Sequence, residues 1–321
     1  MMARPAAWLI AFGLVLGTVL TAWLVLPVAT SGARLSVNYW VHEGLTRKLE
    51  AATTRERTVL LLGGSSVHFG LSARRLEQHH GLPAVNIGQH AALGRPYILE
   101  YGARVVGPGD LVVLILEYNL LGADTASATR NYYVLAHDIG YLYSRPPLML
   151  LKFVAGVAAS EWARLLVAQL SPTRPWSAPA GGYRPETIDG WGDETGNERP
   201  ASNRPPALDD ALGQPFRLAD EAIDDLAAFR ARVVGAGAQL AVAFPGVLRR
   251  HFAADRNAAF FAAVVARLAA ERFVVVGTPA AAVFDADCLY DYAYHPLRAC
   301  TDVRTDLLAA DLRAAGLGLE P

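Results

Sequence analysis

Short apolar runs alternate with segments of helical period along most of the chain. Residues 58–62, 83–88 and 111–119 form nearly continuous apolar runs that end in glycine or polar residues. Such runs are typical of parallel strands buried on both faces, and the helical segments between them cover the sheet. The pattern therefore predicts an α/β fold with a mostly parallel sheet.

The same alternation resumes near the C-terminus, which predicts one three-layer α/β/α domain of flavodoxin-like type. Ser72 is predicted to cap a helix that runs to about His80, since a serine hydroxyl satisfies free amides at a helix start. The other predicted helices cover residues 93–106, 147–170, 218–235, 255–272 and 302–315, and the later strands cover 238–245 and 273–277.

Residues 171–217 interrupt the pattern. They are rich in proline and glycine and include the stretch GGYRPETIDGWGDETGNERP. Irregular segments of this length are usually lids or disordered insertions, so we expect an irregular insertion that faces the substrate. The predicted organisation is an anchor over residues 1–30, a connector over 31–57 and the α/β domain over 58–321.

The N-terminal segment is strongly apolar. Residues 5–29 carry no charge. About 20 apolar residues span a bilayer, whereas the apolar core of a cleaved signal has about 7–15. The segment therefore favours a single transmembrane helix over a cleaved signal. The basic residues Arg4, Arg34, Arg47 and Lys48 flank it on both sides and do not determine its orientation.

Charge and cysteine content narrow the function class. The formal net charge is −1 and no block of Lys or Arg occurs, which excludes a nucleic-acid-binding role on electrostatic grounds. Cys288 and Cys300 are the two cysteines, and their proximity predicts a local disulfide, with two buried thiols as the alternative. A disulfide indicates a location outside the cytoplasm. No zinc-ligand spacing accompanies the cysteines, so no metal site is predicted.

Chemically useful residues follow the predicted strands. Ser65 and Ser66 follow the first strand, Gly88 ends the second, and the third leads into Glu117 and Asn119. The last β region is followed by an acidic stretch that contains a histidine. Because the carboxyl ends of parallel strands meet at one edge of a sheet, we expect these residues to converge there.

This order of Ser, Gly, Asn and His resembles the SGNH, or GDSL-like, hydrolase superfamily. The family's first block, Gly-Asp-Ser-x-x-x-Gly, matches residues 64–70, with Ser65 in place of the aspartate. Gly88 matches the glycine of the second block. Asn119 matches the asparagine of the third block, where Glu117 replaces a residue that the family keeps small.

The family's last block is Asp-x-x-His, and residues 291–295 match it with an interval one residue longer. The resemblance covers roughly residues 58–315 without the middle insertion. It implies that Ser66 is the nucleophile, that His295 is the general base and that Asp291 orients His295. It also implies that the Ser66 amide, the Gly88 amide and the Asn119 side chain hold the oxyanion. No organic cofactor is implied.

Each assignment has a structural alternative. Ser66 can cap the following helix, with Ser65 as the reactive serine, although Gly70 stands four residues after Ser66 as in the family block. Asp287 is the alternative to Asp291. Gly88 can be a turn glycine, Asn119 a loop cap and His295 a structural histidine.

Other polar residues near the site are given lesser roles. Glu117 is expected to contact substrate, or to hydrogen-bond Ser65 or a neighbouring loop. His68 and His90 are expected at the surface or behind the site.

The C-terminal stretch DYAYHPLRACTDVRT is similar to a membrane-anchored bacterial branch of the superfamily. That branch includes proteins of alginate O-acetylation and of teichoic-acid D-alanylation, which act beside a multipass membrane acyltransferase. The resemblance implies a catalytic domain in the periplasm, tethered to the inner membrane, that acts on an envelope glycan. The proposed disulfide would brace the loop that carries Asp291 and His295.

The sequence thus predicts a serine-dependent O-acetyltransferase or O-acyl esterase. The alternative is a non-catalytic SGNH-like scaffold or glycan-binding subunit of an envelope assembly. Ser65, Glu117 and the lengthened interval between Asp291 and His295 motivate that alternative.

Overall fold

The computed structural model describes residues 4–30, 37–56, 58–125, 127–143, 145–170, 183–201 and 215–318. The chain divides into two compact units. One comprises Met1–His42 and Ala126–Ser177, and the other comprises Glu43–Thr125 and Ala178–Pro321.

The regular elements are numbered in chain order. The helices are α1 Arg4–Thr30, α2 Val37–Thr53, α3 Ser65–Gly70, α4 Ala73–His80, α5 Arg95–Val105, α6 Ala128–His137, α7 Pro147–Ala155, α8 Ala159–Leu170, α9 Asp220–Gly235, α10 Arg249–Phe252, α11 Asp255–Ala270 and α12 Arg298–Ala314. The strands are β1 Val59–Gly63, β2 Ala84–Asn86, β3 Leu111–Ile115, β4 Gln239–Val242, β5 Val247–Leu248, β6 Val274–Val275 and β7 Val283–Phe284.

The first unit is helical. Helix α1 packs against α6 and α8, and the Tyr132 hydroxyl donates to the carbonyl oxygen of Thr30 at 2.8 Å. The single helix predicted over residues 147–170 is two helices, α7 and α8. The break falls at Gly156, a poor helix former, where an added Cβ would collide with the Asn131 side-chain amide.

Residues Arg4–Thr30 form a helix, as their apolar composition predicts. Within the described ranges, however, no helix is both long enough and apolar enough to cross a membrane. The predicted transmembrane role of this segment is therefore unsupported.

The second unit contains a five-stranded sheet of order β2-β1-β3-β4-β6, and all of its neighbouring strands are parallel. This confirms the predicted mostly parallel α/β sheet, and the order is that of flavodoxin-like folds. β5 and β7 form a separate parallel pair. The predicted strand over residues 273–277 is shorter, because only Val274 and Val275 pair.

Side chains of the sheet alternate between two cores. Leu60 and Leu62 of β1 join a core with residues of α5, α9 and α11. Val59 and Leu61 join a second core with residues of α3, α4 and α12. Because both faces of the strands are buried, the strands are apolar throughout, which is the pattern that the sequence showed.

Part of the predicted irregular insertion is ordered against the second unit. Residues 171–182 and 202–214 lie outside the described residues, whereas residues 183–201 form a compact segment with an antiparallel bridge between Ile188 and Glu194. Asp193 accepts hydrogen bonds from the amides of Ala73 and Arg74 at the start of α4. Ser72 caps the same helix, as predicted.

Candidate active site

Two glycines bring Ser66 to the carboxyl edge of the sheet. β1 ends at Gly63, and α3 begins directly after Gly64. A Cβ at Gly63 would collide with the Ile115 carbonyl oxygen, and one at Gly64 with the carboxylate of Glu117. The glycines therefore permit close approach of the neighbouring strand β3. Ser66 lies in the first turn of α3 and is 4% exposed.

His295 and Asp291 lie together in a tight loop. His295 Nδ1 and Asp291 Oδ1 are 2.7 Å apart. The His295 amide donates to the Tyr292 carbonyl at 3.0 Å, and this turn brings the two side chains together across the lengthened interval. Asp287, the alternative partner, is exposed.

Aromatic packing joins this loop to the helix that carries Ser66. The ring of Phe69 on α3 stacks on His295 with centroids 4.4 Å apart. A Cβ at Gly70 would lie 3.7 Å from the ring of Pro296. Ser66 Oγ and His295 Nε2 are both buried without a hydrogen-bond partner among the described residues, so they do not bond to each other. The structure thus brings their elements together without a formed serine–histidine bond.

Tyr183 is a site residue that the sequence analysis did not identify. Its hydroxyl donates to Asp291 Oδ2 at 2.5 Å and lies 3.1 Å from His295 Nδ1. Burial and the neighbouring Asp291 raise the pKa of Tyr183, so the hydroxyl keeps its proton. No motif marks this tyrosine, because it lies in the irregular segment far from Asp291 along the chain.

The electrostatics of the pair suit an aspartate that orients a histidine. Burial alone would raise the pKa of Asp291, but the hydrogen bonds from His295 and Tyr183 outweigh it and lower that pKa. Asp291 is therefore ionised at neutral pH. It holds the proton of the imidazole on Nδ1, which leaves Nε2 free to accept a proton.

Removing the Tyr183 hydroxyl should weaken this arrangement without abolishing it. We expect Tyr183→Phe to slow reaction of Ser66 with a fluorophosphonate about tenfold, since one charge-assisted hydrogen bond is lost. The second-order labelling rate measures the effect. Tyr143→Phe, at a tyrosine that is 81% exposed, is the matched control. Equal rates for Tyr183→Phe and wild type would show that Tyr183 does not position the pair.

The two backbone amides predicted to hold an oxyanion are already hydrogen-bonded. The Ser66 amide donates to Glu117 Oε1 at 2.7 Å. The Gly88 amide donates to Asn86 Oδ1 at 2.9 Å. Asn119 lies in a short 3-10 turn, Tyr118–Leu121, and is exposed. The oxyanion roles of these residues stay predictions.

Ser65 and Glu117 are the two main departures from the family blocks, and they contact each other. The Ser65 hydroxyl donates to Glu117 Oε1 at 3.3 Å. Glu117 is 1% exposed, and burial raises its pKa. The chain therefore carries an acid after β3 and a small hydroxyl after β1. Of the roles expected for Glu117, the hydrogen bond with Ser65 is present, and the contact with substrate stays a prediction.

Asn86 organises the backbone around the serine. Its Nδ2 donates to the carbonyls of Val67 and Leu71, both at 3.0 Å. Its Oδ1 accepts from the Gly88 amide and from Lys48 Nζ. Asn86 is fully buried. The side chain thus ties α3 to the end of β2 and uses its complete hydrogen-bonding capacity.

The two nearby histidines are neutral at pH 7. His68 is buried, not at the surface, and its Nε2 lies 3.1 Å from Glu194 Oε2. Burial lowers the pKa of His68 to about 4, so its Nε2–H donates to the carboxylate. Burial also lowers the pKa of His90 to about 4. His90 is half-buried, and its Nδ1 accepts a hydrogen bond from the Ala92 amide at 3.1 Å.

The disulfide predicted from the cysteine spacing is present between Cys288 and Cys300. It joins the start of the histidine loop to the first turn of α12. Inside the loop that the disulfide closes, the Leu297 amide donates to the Cys288 carbonyl at 2.7 Å. The loop that carries Asp291 and His295 is thus fixed at both ends. Within the described ranges, no cluster of three or more His, Cys, Asp or Glu residues is arranged to hold a metal.

Comparisons with known proteins give few matches. No protein-family model matches the chain, and no curated protein does. The chain is similar to the crystal structure of protein YxiM from Bacillus subtilis, with a TM-score of 0.38 and 11% sequence identity. The alignment covers 83% of this chain and 58% of the YxiM chain, so this chain matches little more than half the length of that structure.

Proposed function

We propose that the chain is a serine-dependent acyl-transfer enzyme in which Ser66, His295 and Asp291 form the triad. One observation carries the proposal. The Asp291–His295 pair, at 2.7 Å, lies on a loop whose histidine stacks on the helix that bears Ser66. Buried Asp–His pairs of this geometry orient an imidazole to act as a base on a neighbouring hydroxyl.

The proposed reaction uses Ser66 Oγ and His295 Nε2, two site atoms that have no hydrogen-bond partner among the described residues. Ser66 Oγ attacks the acyl carbonyl carbon while His295 Nε2 takes the hydroxyl proton. The leaving group then departs with that proton, which leaves an ester on Ser66. Water or a sugar hydroxyl attacks this ester as His295 Nε2 takes its proton. The bond between Ser66 Oγ and the acyl carbon then breaks, and His295 returns the proton to Ser66 Oγ. The serine and the histidine come within hydrogen-bond distance when substrate binds, since such bonds are often unformed in free enzymes.

The substrate we propose is an O-acetyl group on a cell-envelope glycan. This choice follows from the resemblance to membrane-anchored proteins of polysaccharide O-acetylation. Hydrolysis and transfer differ only in which hydroxyl attacks the acyl-enzyme, so the same residues serve an esterase or an O-acetyltransferase.

We place the chain outside the cytoplasm. The Cys288–Cys300 disulfide supports this location, because disulfides persist in oxidising compartments. Attachment to the inner membrane and a multipass membrane acyltransferase as partner stay predictions from the resemblance. Fractionation of cells that express the full chain, with and without residues 5–29, tests the membrane attachment.

A fluorophosphonate probe tests the triad. We expect the full-length wild-type chain to be labelled on Ser66 and Ser66→Ala to remain unlabelled. Ser65→Ala, at the neighbouring serine, should still be labelled on Ser66. Peptide mapping by mass spectrometry identifies the labelled residue.

Equal labelling of Ser66→Ala and wild type would disprove the triad. The function would then be the alternative one, a non-catalytic scaffold or glycan-binding subunit. That alternative is favoured by the occupation of the Ser66 amide by Glu117 and by the absence of a Ser66–His295 hydrogen bond. Wild-type chain that is not labelled at all would favour it in the same way.

A further inference from the structure

Glu117 lies beside the position where the reacting oxygen of a substrate is expected. Its Oε1 accepts the Ser66 amide at 2.7 Å, the amide to which a serine enzyme's oxyanion ordinarily binds. The absence of a Cβ at Gly64 gives the carboxyl room beside α3. Glu117 is therefore part of the candidate site.

The second oxygen of this carboxyl is unused. Glu117 Oε2 is buried and has no hydrogen-bond partner among the described residues. Oε1 already accepts from the Ser66 amide and from the Ser65 hydroxyl. If the carboxyl carries a proton, that proton therefore belongs on Oε2, where no residue in the described ranges accepts it.

The surroundings of Glu117 favour the protonated form. The groups that face it are hydroxyls and amides of α3 and, from the histidine loop, His295, Tyr292 and Tyr294. Neither Lys nor Arg is among these groups. Burial raises the pKa of Glu117, and the Ser66 amide, the His295 imidazole and the Ser66 hydroxyl offset this only in part.

We propose that Glu117 acts as a neutral carboxylic acid whose Oε2–H donates a hydrogen bond to the carbonyl oxygen of the acyl group that Ser66 attacks. The inference rests on the proposed acyl-transfer function and deepens it. An ionised carboxylate at this position would repel the developing oxyanion, whereas a neutral acid stabilises it. Glu117 thereby supplies a donor at a site where the Ser66 and Gly88 amides are already hydrogen-bonded.

The step balances without a further reactant. The bond from Ser66 Oγ to the acyl carbon forms as the hydroxyl proton moves to His295 Nε2. The carbonyl π electrons move to the oxygen, which accepts the hydrogen bond from Glu117 Oε2–H. Glu117 keeps its proton throughout. When the oxyanion collapses, the leaving group takes the proton from His295 and the hydrogen bond to Glu117 weakens.

The test compares Glu117→Gln with Glu117→Ala in the full-length chain. Rates of Ser66 phosphonylation by a fluorophosphonate and of 4-nitrophenyl acetate hydrolysis are measured across pH. Glutamine keeps a neutral donor at every pH, so we expect Glu117→Gln to stay within about threefold of wild type at low pH. Alanine removes the donor and should slow both reactions at least about 100-fold.

The pH profile separates a donor from a structural residue. The active acid form exists below the pKa of Glu117, so the wild-type rate should fall as pH rises through that raised pKa. Glu117→Gln should lose this alkaline fall. Difference infrared spectra of wild type and Glu117→Gln should show a carboxylic-acid carbonyl band that disappears over the same pH range.

The outcomes distinguish this inference from the function on which it rests. If Ser66 is labelled in wild type but Glu117→Gln is as slow as Glu117→Ala, the triad stands and the acid-donor role is wrong. A faster Glu117→Ala would instead make the carboxyl an inhibitory occupant and would overturn the inference. If wild type shows no Ser66-dependent labelling, the proposed function fails, and the inference fails with it.

Discussion

Replacing His295 with alanine is expected to slow phosphonylation of Ser66 about a thousandfold while the chain stays folded. A positioned general base contributes roughly 10²–10⁴-fold to such reactions, because a serine hydroxyl is a poor nucleophile until its proton is removed. His295 is the only described histidine bonded to Asp291, at 2.7 Å. The labelling rate of the full-length chain measures the effect.

Two controls make this result specific. His79→Ala removes an exposed histidine of α4 and should leave the labelling rate unchanged. Asp291→Asn should slow labelling strongly, whereas Asp287→Asn, at an exposed carboxylate, should not. A labelling rate for His295→Ala within threefold of wild type would assign the base to another residue and would refute the triad. Thermal unfolding of each variant confirms that the fold is retained.

The sequence predicted the sheet well because local composition determines it. Residues of β1 and β3 are buried on both faces, so they are apolar without interruption and read clearly as parallel strands. The Asp291–His295 pair was also predictable, since both residues lie within one short loop. These features depend on neighbours along the chain.

Features that depend on contacts across the fold were not predictable. Tyr183 reaches Asp291 from an irregular segment that has no periodicity to read. The hydrogen bond from the Gly88 amide to Asn86, two residues earlier, was not predicted either, and the oxyanion role of Gly88 stays a prediction.

Ser65 and Glu117, the two residues that differ from the sequence blocks that the chain resembles, contact each other. Taken separately, Ser65 weakened the first block and Glu117 weakened the third. In the structure their side chains form a hydrogen bond, and Gly64 leaves space for the acid. The sequence alone could not show that these two side chains meet, because they come together only after β1 and β3 pair.

The largest expected loss of stability is for Asn86→Leu. Leucine has a similar volume but removes four hydrogen bonds, to Val67, Leu71, Gly88 and Lys48. Each buried polar group left without a partner costs about 1–3 kcal/mol, and some of the four have other partners, so we expect a loss of about 4 kcal/mol. Urea unfolding followed by tryptophan fluorescence measures it.

Asn257→Leu is the matched control for this substitution. Asn257 is 1% exposed, and its side chain makes two hydrogen bonds, from the Phe216 amide and to the His251 carbonyl. We expect about half the loss in unfolding free energy, with little change in the labelling rate of Ser66. Asn86→Leu should slow labelling as well, because Asn86 fixes α3 on the end of β2. Equal stability losses for the two variants, with unchanged labelling in both, would show that Asn86 is an ordinary core residue and that the serine is positioned by α3 alone.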